Sequence, residues 1–321
     1  MQLNQAQQEA VDYVNGPCLV LAGAGSGKTR VITTKIVSLI NKHFIAPQQI
    51  CAVTFTNKAA AEMRDRVKQE LGSERSSLIT ISTFHSLGLN ILKEESVALG
   101  LGRNFTLFDQ YDSFKLIKDI VREKFPQILV DNSEKTVVEE IATDISTWKT
   151  SLLRPEDIAV RTIRVQVYEA YQAYLSACNA ADFEDLIFKT TLLLRDNQAV
   201  RDKWSSYYKY ILVDEYQDTN ETQYQLLKYL TSKNKRFTVV GDDDQSIYAW
   251  RGARPENIKV LSNDFPDLKV IKLEQNYRST QHILNCANKL ISNNEHIFNK
   301  TLYTKSNVGK KVQIMELRTQ N

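Results

Sequence analysis

The chain has 321 residues, 42% hydrophobic and 25% charged, with a formal net charge of +3 at pH 7. That is ordinary globular composition with room for about two domains, and the near balance of acids and bases permits a polyanionic partner without requiring one. Cys18, Cys51, Cys178 and Cys286 stand singly, which excludes a disulfide framework or a zinc site and makes a reducing cytosol the default; the polar N-terminus and the lack of an apolar run near ~20 residues exclude a signal peptide and a membrane anchor.

Taken in order, Asn4 is an N-cap candidate for a short helix carrying Ala10, Val11 and Val14 at helical spacing. Apolar Cys18 to Leu21 then reads as a buried strand running into Ala22-Gly-Ala-Gly-Ser-Gly-Lys-Thr-Arg. Strand, glycine loop, Lys-Thr and helix together form a phosphate cradle. Gly23, Gly25 and Gly27 permit positive φ and close backbone approach, Lys28 reaches the β- and γ-phosphates, and the Thr29 hydroxyl ligands Mg²⁺. The sequence predicts a helix through Val31 to Ile40, a strand at Ile50 to Phe55, a helix from Asn57 to Leu71 and a strand at Leu78 to Ser82; alternating β and α means a parallel sheet.

Eight of the eleven glycines lie at or before Gly102, and the next is Gly241. A long middle stretch thus lacks backbone punctuation, and its periodicity predicts an α-helical block over residues 85 to 200, inserted in the sheet domain. The sheet resumes with strands at Tyr210, Phe237 and Lys269, a helix over Glu221 to Leu230, and an apolar-periodic helix through Ile283, Leu284, Ala287 and Ile291. Open α/β sheets hold ligands at strand C-terminal ends. Asp214 and Glu215 follow a strand directly and divide two tasks, Asp214 in the Mg²⁺ shell and Glu215 on the attacking water; two acids capping the next helix are the alternative. Gln217 and Gln245 are neutral sensors at the triphosphate end.

A second group reads as a nucleic-acid track: Thr54-Phe-Thr-Asn, with Phe55, Thr56 and Asn57; Ser82-Thr-Phe-His, with Thr83, Phe84 and His85; and Tyr248, Trp250, Arg251 and Arg254. Singly, Phe55, Phe84, Tyr248 and Trp250 read as core packing, and the joint pattern shifts them toward base stacking. His85, with no Cys or second His nearby, is a hydrogen-bonding or phosphate contact rather than a metal ligand. Arg278 offers a charge from a second domain, or is a surface arginine.

Together Gln7, AGAGSGKTR (22–30), TFTNKAA (54–60), STFHSLG (82–88), DFEDLI (182–187), VDEYQD (213–218), GDDDQSIYAWRGA (241–253) and LEQNYRS (273–279) resemble the superfamily 1 DNA helicases of the UvrD/Rep/PcrA group along essentially the full length. The resemblance implies an α/β fold, a RecA-like P-loop NTPase parallel sheet with an inserted all-helical subdomain. The first motor domain would occupy 1–84 and 201–276, the insertion 85–200, and the start of a second RecA-like domain 277–321. It implies ATP and Mg²⁺ bound by the loop from Ala22 through Ala24 and Ser26 to Arg30, with Gln7 reading adenine and Arg30 and Tyr277 flanking the base. Gln245 would couple the γ-phosphate to DNA, Arg278 would be an arginine finger, and Phe55, Phe84, Phe183, Tyr248 and Trp250 would lie along the strand. The implied activity is ATP-dependent 3′ to 5′ movement on single-stranded DNA, with duplex separation at junctions, in replication or repair in the cytoplasm; fork proteins and a second copy on DNA are the partners it names. Members of the group run to about twice this length, so a truncated second domain is expected, with Lys310 to Leu317 as an early strand of it and apolar residues between Ile283 and Ile297 left exposed. An ATP- and DNA-binding module without productive turnover is the alternative.

Overall fold

A computed structural model gives the fold and describes residues 2–130, 133–294, 298–313 and 315, with the backbone but not the side chain of Arg251. Helix α1 (Gln5–Asp12), strand β1 (Pro17–Ala22), α2 (Lys28–Asn41), β2 (Ile50–Thr54), α3 (Asn57–Ser77), β3 (Thr80–Thr83) and α4 (Phe84–Glu94) open the chain. Then come β4 (Thr106–Phe108), α5 (Gln110–Lys124), α6 (Glu134–Thr150), α7 (Ile163–Ala177), β5 (Ala180–Asp182), α8 (Asp185–Asp196) and α9 (Gln198–Tyr207). Last are β6 (Tyr210–Val213), α10 (Glu221–Leu230), β7 (Phe237–Gly241), α11 (Asn257–Asp264), β8 (Lys269–Leu273) and α12 (Gln281–Ile291).

Six strands form one sheet in the order β3-β2-β6-β7-β1-β8, with every neighbouring pair parallel. The parallel α/β architecture expected from sequence is the one observed. β1 is buried at all six positions, as a central strand covered on both faces must be. Its alternate residues go to different cores: Leu19 and Leu21 to one, Cys18, Val20 and Ala22 to the other. Cys51 and Val53 of β2, Ile211 and Val213 of β6, and Phe237 and Val239 of β7 join the first; Ile50, Ala52, Tyr210, Leu212 and Val240 join the second.

Local chemistry places the helix starts. Asn4 and Gln7 form a capping box on α1, Thr56 caps α3, Thr83 caps α4, and Asn220 with Gln223 caps α10. The helices of the middle stretch divide their packing. α5, α6 and α7 close a third core around Ile117, Val138, Ile141 and Tyr168, whereas Phe84, Leu87 and Ile91 of α4, Leu194 of α8 and Trp204 of α9 pack on the sheet. A short parallel pair, β4 with β5, was not expected; three-residue strands are too short to carry a periodic signal.

Beyond β8, α12 buries Leu284 and exposes Ile283 and Leu290. Ile297, part of the apolar stretch expected to be exposed, lies outside the described residues. The strand expected over 310–317 is not formed at 310–313 or 315, which adopt no regular structure, and 314, 316 and 317 lie outside the described residues. Alternation of apolar and polar residues makes a strand only beside a partner edge, and no described strand runs alongside.

Candidate nucleotide site

The glycine loop leaves β1 at its C-terminal end and turns at Gly25 and Gly27, whose φ values are +73° and +89°. The positive φ favours glycine at Gly27, and a Cβ there would stand 2.7 Å from Gln7 Nε2 and force that amide to move. Ser26 Oγ donates to the Gly23 carbonyl at 2.7 Å, and Gln7 Nε2 donates to the Ser26 carbonyl at 2.9 Å. Gln7 Oε1 in turn accepts the Asn4 N–H at 3.0 Å. Gln7 is thus buried against the loop, with one amide hydrogen and one lone pair left for a further partner.

Opposite the loop, β6 delivers Asp214 and Glu215. Lys28 Nζ lies 2.9 Å from Glu215 Oε2, joining residues 187 apart in sequence. Gln217 Nε2 donates to the same oxygen at 2.9 Å, and Gln217 Oε1 accepts the Asp242 N–H at 3.0 Å from the end of β7. Glu215 holds φ +51°, a left-handed backbone that costs of order 1 kcal/mol and is retained at functional sites.

A cleft of about 650 Å³ opens between these elements, lined by Ala24, Gly25, Gly27, Lys28, Thr29, Arg30, Arg66, Glu215, Gln245, Tyr277 and Arg278. Asp214 is buried just behind it, its Oδ1 accepting the Glu215 N–H at 3.0 Å. Burial, then the Glu215 carboxylate, push the Asp214 pKa up to about 6, with Lys28 pulling the other way. Asp218 is pushed up to about 6 by the same pair of causes, and its Oδ1 is buried with no hydrogen-bond partner. Lys28 is the cation that offsets Asp214 and Asp218, and it does not outweigh their burial and the Glu215 charge. Crowded oxygen donors of this kind fit a divalent cation, which would relieve the excess negative charge.

Residues beyond β8 close the cleft's other side. Asn276 Nδ2 donates to the Ala24 carbonyl at 2.6 Å, the Tyr277 N–H to the Gly25 carbonyl at 2.9 Å, and Asn4 Nδ2 to the Tyr277 hydroxyl at 2.9 Å. Tyr277 remains half exposed. Gln245 lines the cleft while its Nε2 donates to the Asp242 carboxylate.

The residues read as a nucleic-acid track are placed unequally. Phe84 is 3% exposed and packs edge-on to Phe55 at 6.3 Å between ring centroids. Phe84 is therefore a core ring, the reading its position alone supported, and is closed to a base. The Thr83 and Thr56 hydroxyls accept backbone N–H groups as helix caps, leaving Asn57 exposed at the surface. His85 stacks on half-exposed Phe183 at 4.0 Å, Tyr248 lies 6.4 Å from Trp250, and Trp250 is 74% exposed. The Arg251 side chain lies outside the described residues.

With this geometry the comparisons with known proteins agree. The family described as "UvrD/REP helicase N-terminal domain" matches residues 3–266, and "UvrD-like helicase C-terminal domain" matches 271–321. The chain belongs to the UvrD/Rep helicase family. It is 51% identical to ATP-dependent DNA helicase Rep of Escherichia coli (strain K12), over 98% of this chain and 47% of that protein. It is 50% identical to the Rep helicase of Salmonella typhimurium, with the same coverage, and 42% identical to ATP-dependent DNA helicase PcrA of Staphylococcus epidermidis, over 99% of this chain and 44% of the relative. The chain thus spans about half the length of the curated UvrD/Rep relatives it matches. Among the described residues no helix is long and apolar enough to cross a membrane.

Several residues of this UvrD/Rep chain have contacts at the cleft that the sequence does not mark. Arg66 lies on α3 among other charged residues, outside every motif singled out in the sequence, and it lines the cleft. Asn4 reads as a cap and Asn276 lies within LEQNYRS, and only the fold shows that they bond the Tyr277 hydroxyl and the Ala24 carbonyl.

Proposed function

We propose that this chain carries the ATP site and part of the single-stranded DNA path of an ATP-dependent DNA helicase moving 3′ to 5′ and opening duplex at junctions in replication or repair. The observation that carries the reading is the meeting of Lys28 and Glu215 at 2.9 Å where two strands end. Lys28 binds the β- and γ-phosphates in place of Glu215, and Glu215, released, takes the proton of the attacking water. Thr29 and Asp214 hold Mg²⁺, which when bound neutralises charge on the phosphate oxygens. Gln245 senses the γ-phosphate, Arg278 approaches the same end, and Gln7, Arg30 and Tyr277 surround the base. Phe55, His85, Phe183, Tyr248 and Trp250 offer rings to single-stranded DNA, with Asn57 and Arg251 beside them.

In this reading the first motor domain occupies 1–84 and 201–276, the helical insertion 85–200, and the second motor domain begins at 277. Its location is the cytoplasm, and fork proteins or a second copy of the chain are its partners on DNA. Phosphate release by the 321-residue chain, with and without oligothymidine, tests it. Lys28→Ala should lower the DNA-stimulated rate about 100-fold or more. A rate indifferent to both oligothymidine and the substitution would remove the assignment.

A further inference from the structure

Among the described residues Asp242, Asp243 and Asp244 are the group of acids close enough to share a cation, and a lysine occupies that position. Lys300 Nζ stands 2.6 Å from Asp242 Oδ1, 2.7 Å from Asp243 Oδ1 and 2.6 Å from Asp244 Oδ2, and its side chain is 5% exposed. Burial opposes the charge, but the three carboxylates outweigh it and hold the ammonium's pKa above the ordinary lysine value.

The lysine is fastened on its own side as well. The Tyr303 N–H donates to the Glu274 carbonyl at 3.0 Å and the Asn276 N–H to the Tyr303 carbonyl at 2.7 Å, so 299–304 runs beside the segment that closes the cleft. Leu302 lies over Gly23, where an added Cβ would meet its methyl carbon at 2.5 Å. From Asp242 a chain of contacts reaches the catalytic end: its carboxylate accepts from Gln245 Nε2, its N–H donates to Gln217 Oε1, and Gln217 donates to Glu215, which pairs with Lys28.

We propose that Lys300 is a positioning residue for the nucleotide site: joined to Asp242, Asp243 and Asp244, it holds Gln245 and Gln217 at the γ-phosphate end and makes the site favour a nucleoside triphosphate over a diphosphate. This rests on the ATP-site reading above. Without the lysine, three carboxylates repel the more negative ligand and the Asp242 carboxylate that holds Gln245 is no longer fixed in place, while the glycine loop still holds a diphosphate.

The test is titration of the 321-residue chain with fluorescent mant derivatives of AMPPNP and ADP, each with Mg²⁺. Lys300→Met and the milder Lys300→Gln should raise the dissociation constant for the triphosphate about 10-fold and that for the diphosphate by less than about twofold, with Lys300→Arg restoring the wild-type preference. Equal losses for both nucleotides in both neutral variants, including loss through misfolding, would make Lys300 a general strut and overturn the proposal, as would no change in either. Lys28→Ala is the separate control. If the parent chain binds neither nucleotide, or Lys28→Ala binds both as tightly, the ATP site itself falls and takes this proposal with it.

Discussion

His85 lies with its ring 4.0 Å from that of Phe183, and burial there lowers its pKa from 6.5 to about 4. Between those values the unfolded chain binds more protons than the folded one, so this contribution to stability is fully present above pH 6.5 and is lost as pH falls toward 4. The loss should be on the order of 2 kcal/mol. Urea unfolding at pH 7.5 and pH 5 should show it, and His85→Gln should narrow the gap between the two; an unchanged gap would place the proton elsewhere. The imidazole was legible in sequence as a hydrogen-bonding group without metal partners. Its neutral state was not, because desolvation depends on which ring packs over it, and Phe183 is 98 residues away in the chain.

Elements meet at places that composition does not mark. Gly88 sits in α4 where α8 crosses it, and an added Cβ would stand 2.2 Å from the Leu186 carbonyl oxygen. The contact is with backbone, so Gly88→Ala must push the helices apart and should cost about 1–3 kcal/mol or more by thermal or urea denaturation. The ion pair joining α6 to α8 is buried more deeply. Lys149 lies 2.8 Å from Asp185 Oδ1 and also contacts Asp182, whose Oδ2 accepts the Tyr171 hydroxyl at 2.8 Å. Despite the cost of burial, the two aspartates raise the Lys149 pKa, and the two lysines, Lys149 and Lys189, lower that of Asp185. Lys149→Ala leaves buried Asp182 without its cation and Asp185 with Lys189 alone, and should cost about 3–5 kcal/mol, whereas surface Lys135→Ala should change little; a loss below about 1 kcal/mol would show that the pair is dispensable. In sequence Lys149 follows Trp148 in a helical run that marks no partner for it, and only tertiary contact buries it.

At the scale of the whole molecule, a parallel sheet collects the C-terminal ends of β1, β6 and β7 on one side. Binding of labelled oligothymidine, followed by anisotropy, should weaken steeply with salt. Trp250→Ala with Phe183→Ala should weaken it by about 1–3 kcal/mol per stacked base and leave the salt slope unchanged, since neither ring neutralises a phosphate. A change in slope without a change in affinity at low salt would mean that the rings do not stack on bases.

The sequence by itself determined the elements of local period and the phosphate loop. Apolar runs of strand length, capping residues such as Asn4, Thr56, Thr83 and Asn220 directly before their helices, and glycines before Lys28 all act within a few residues of themselves. The same locality made Asp214 and Glu215 visible as strand-end acids. What only the tertiary structure decided is partnership across the chain. Lys28 finds Glu215, Lys300 finds three aspartates and Lys149 finds two, while Phe84 goes to the core and Trp250 to the surface. Those outcomes follow from sheet order and from which side chains lose water on packing, and both are properties of the assembled fold rather than of any stretch within it.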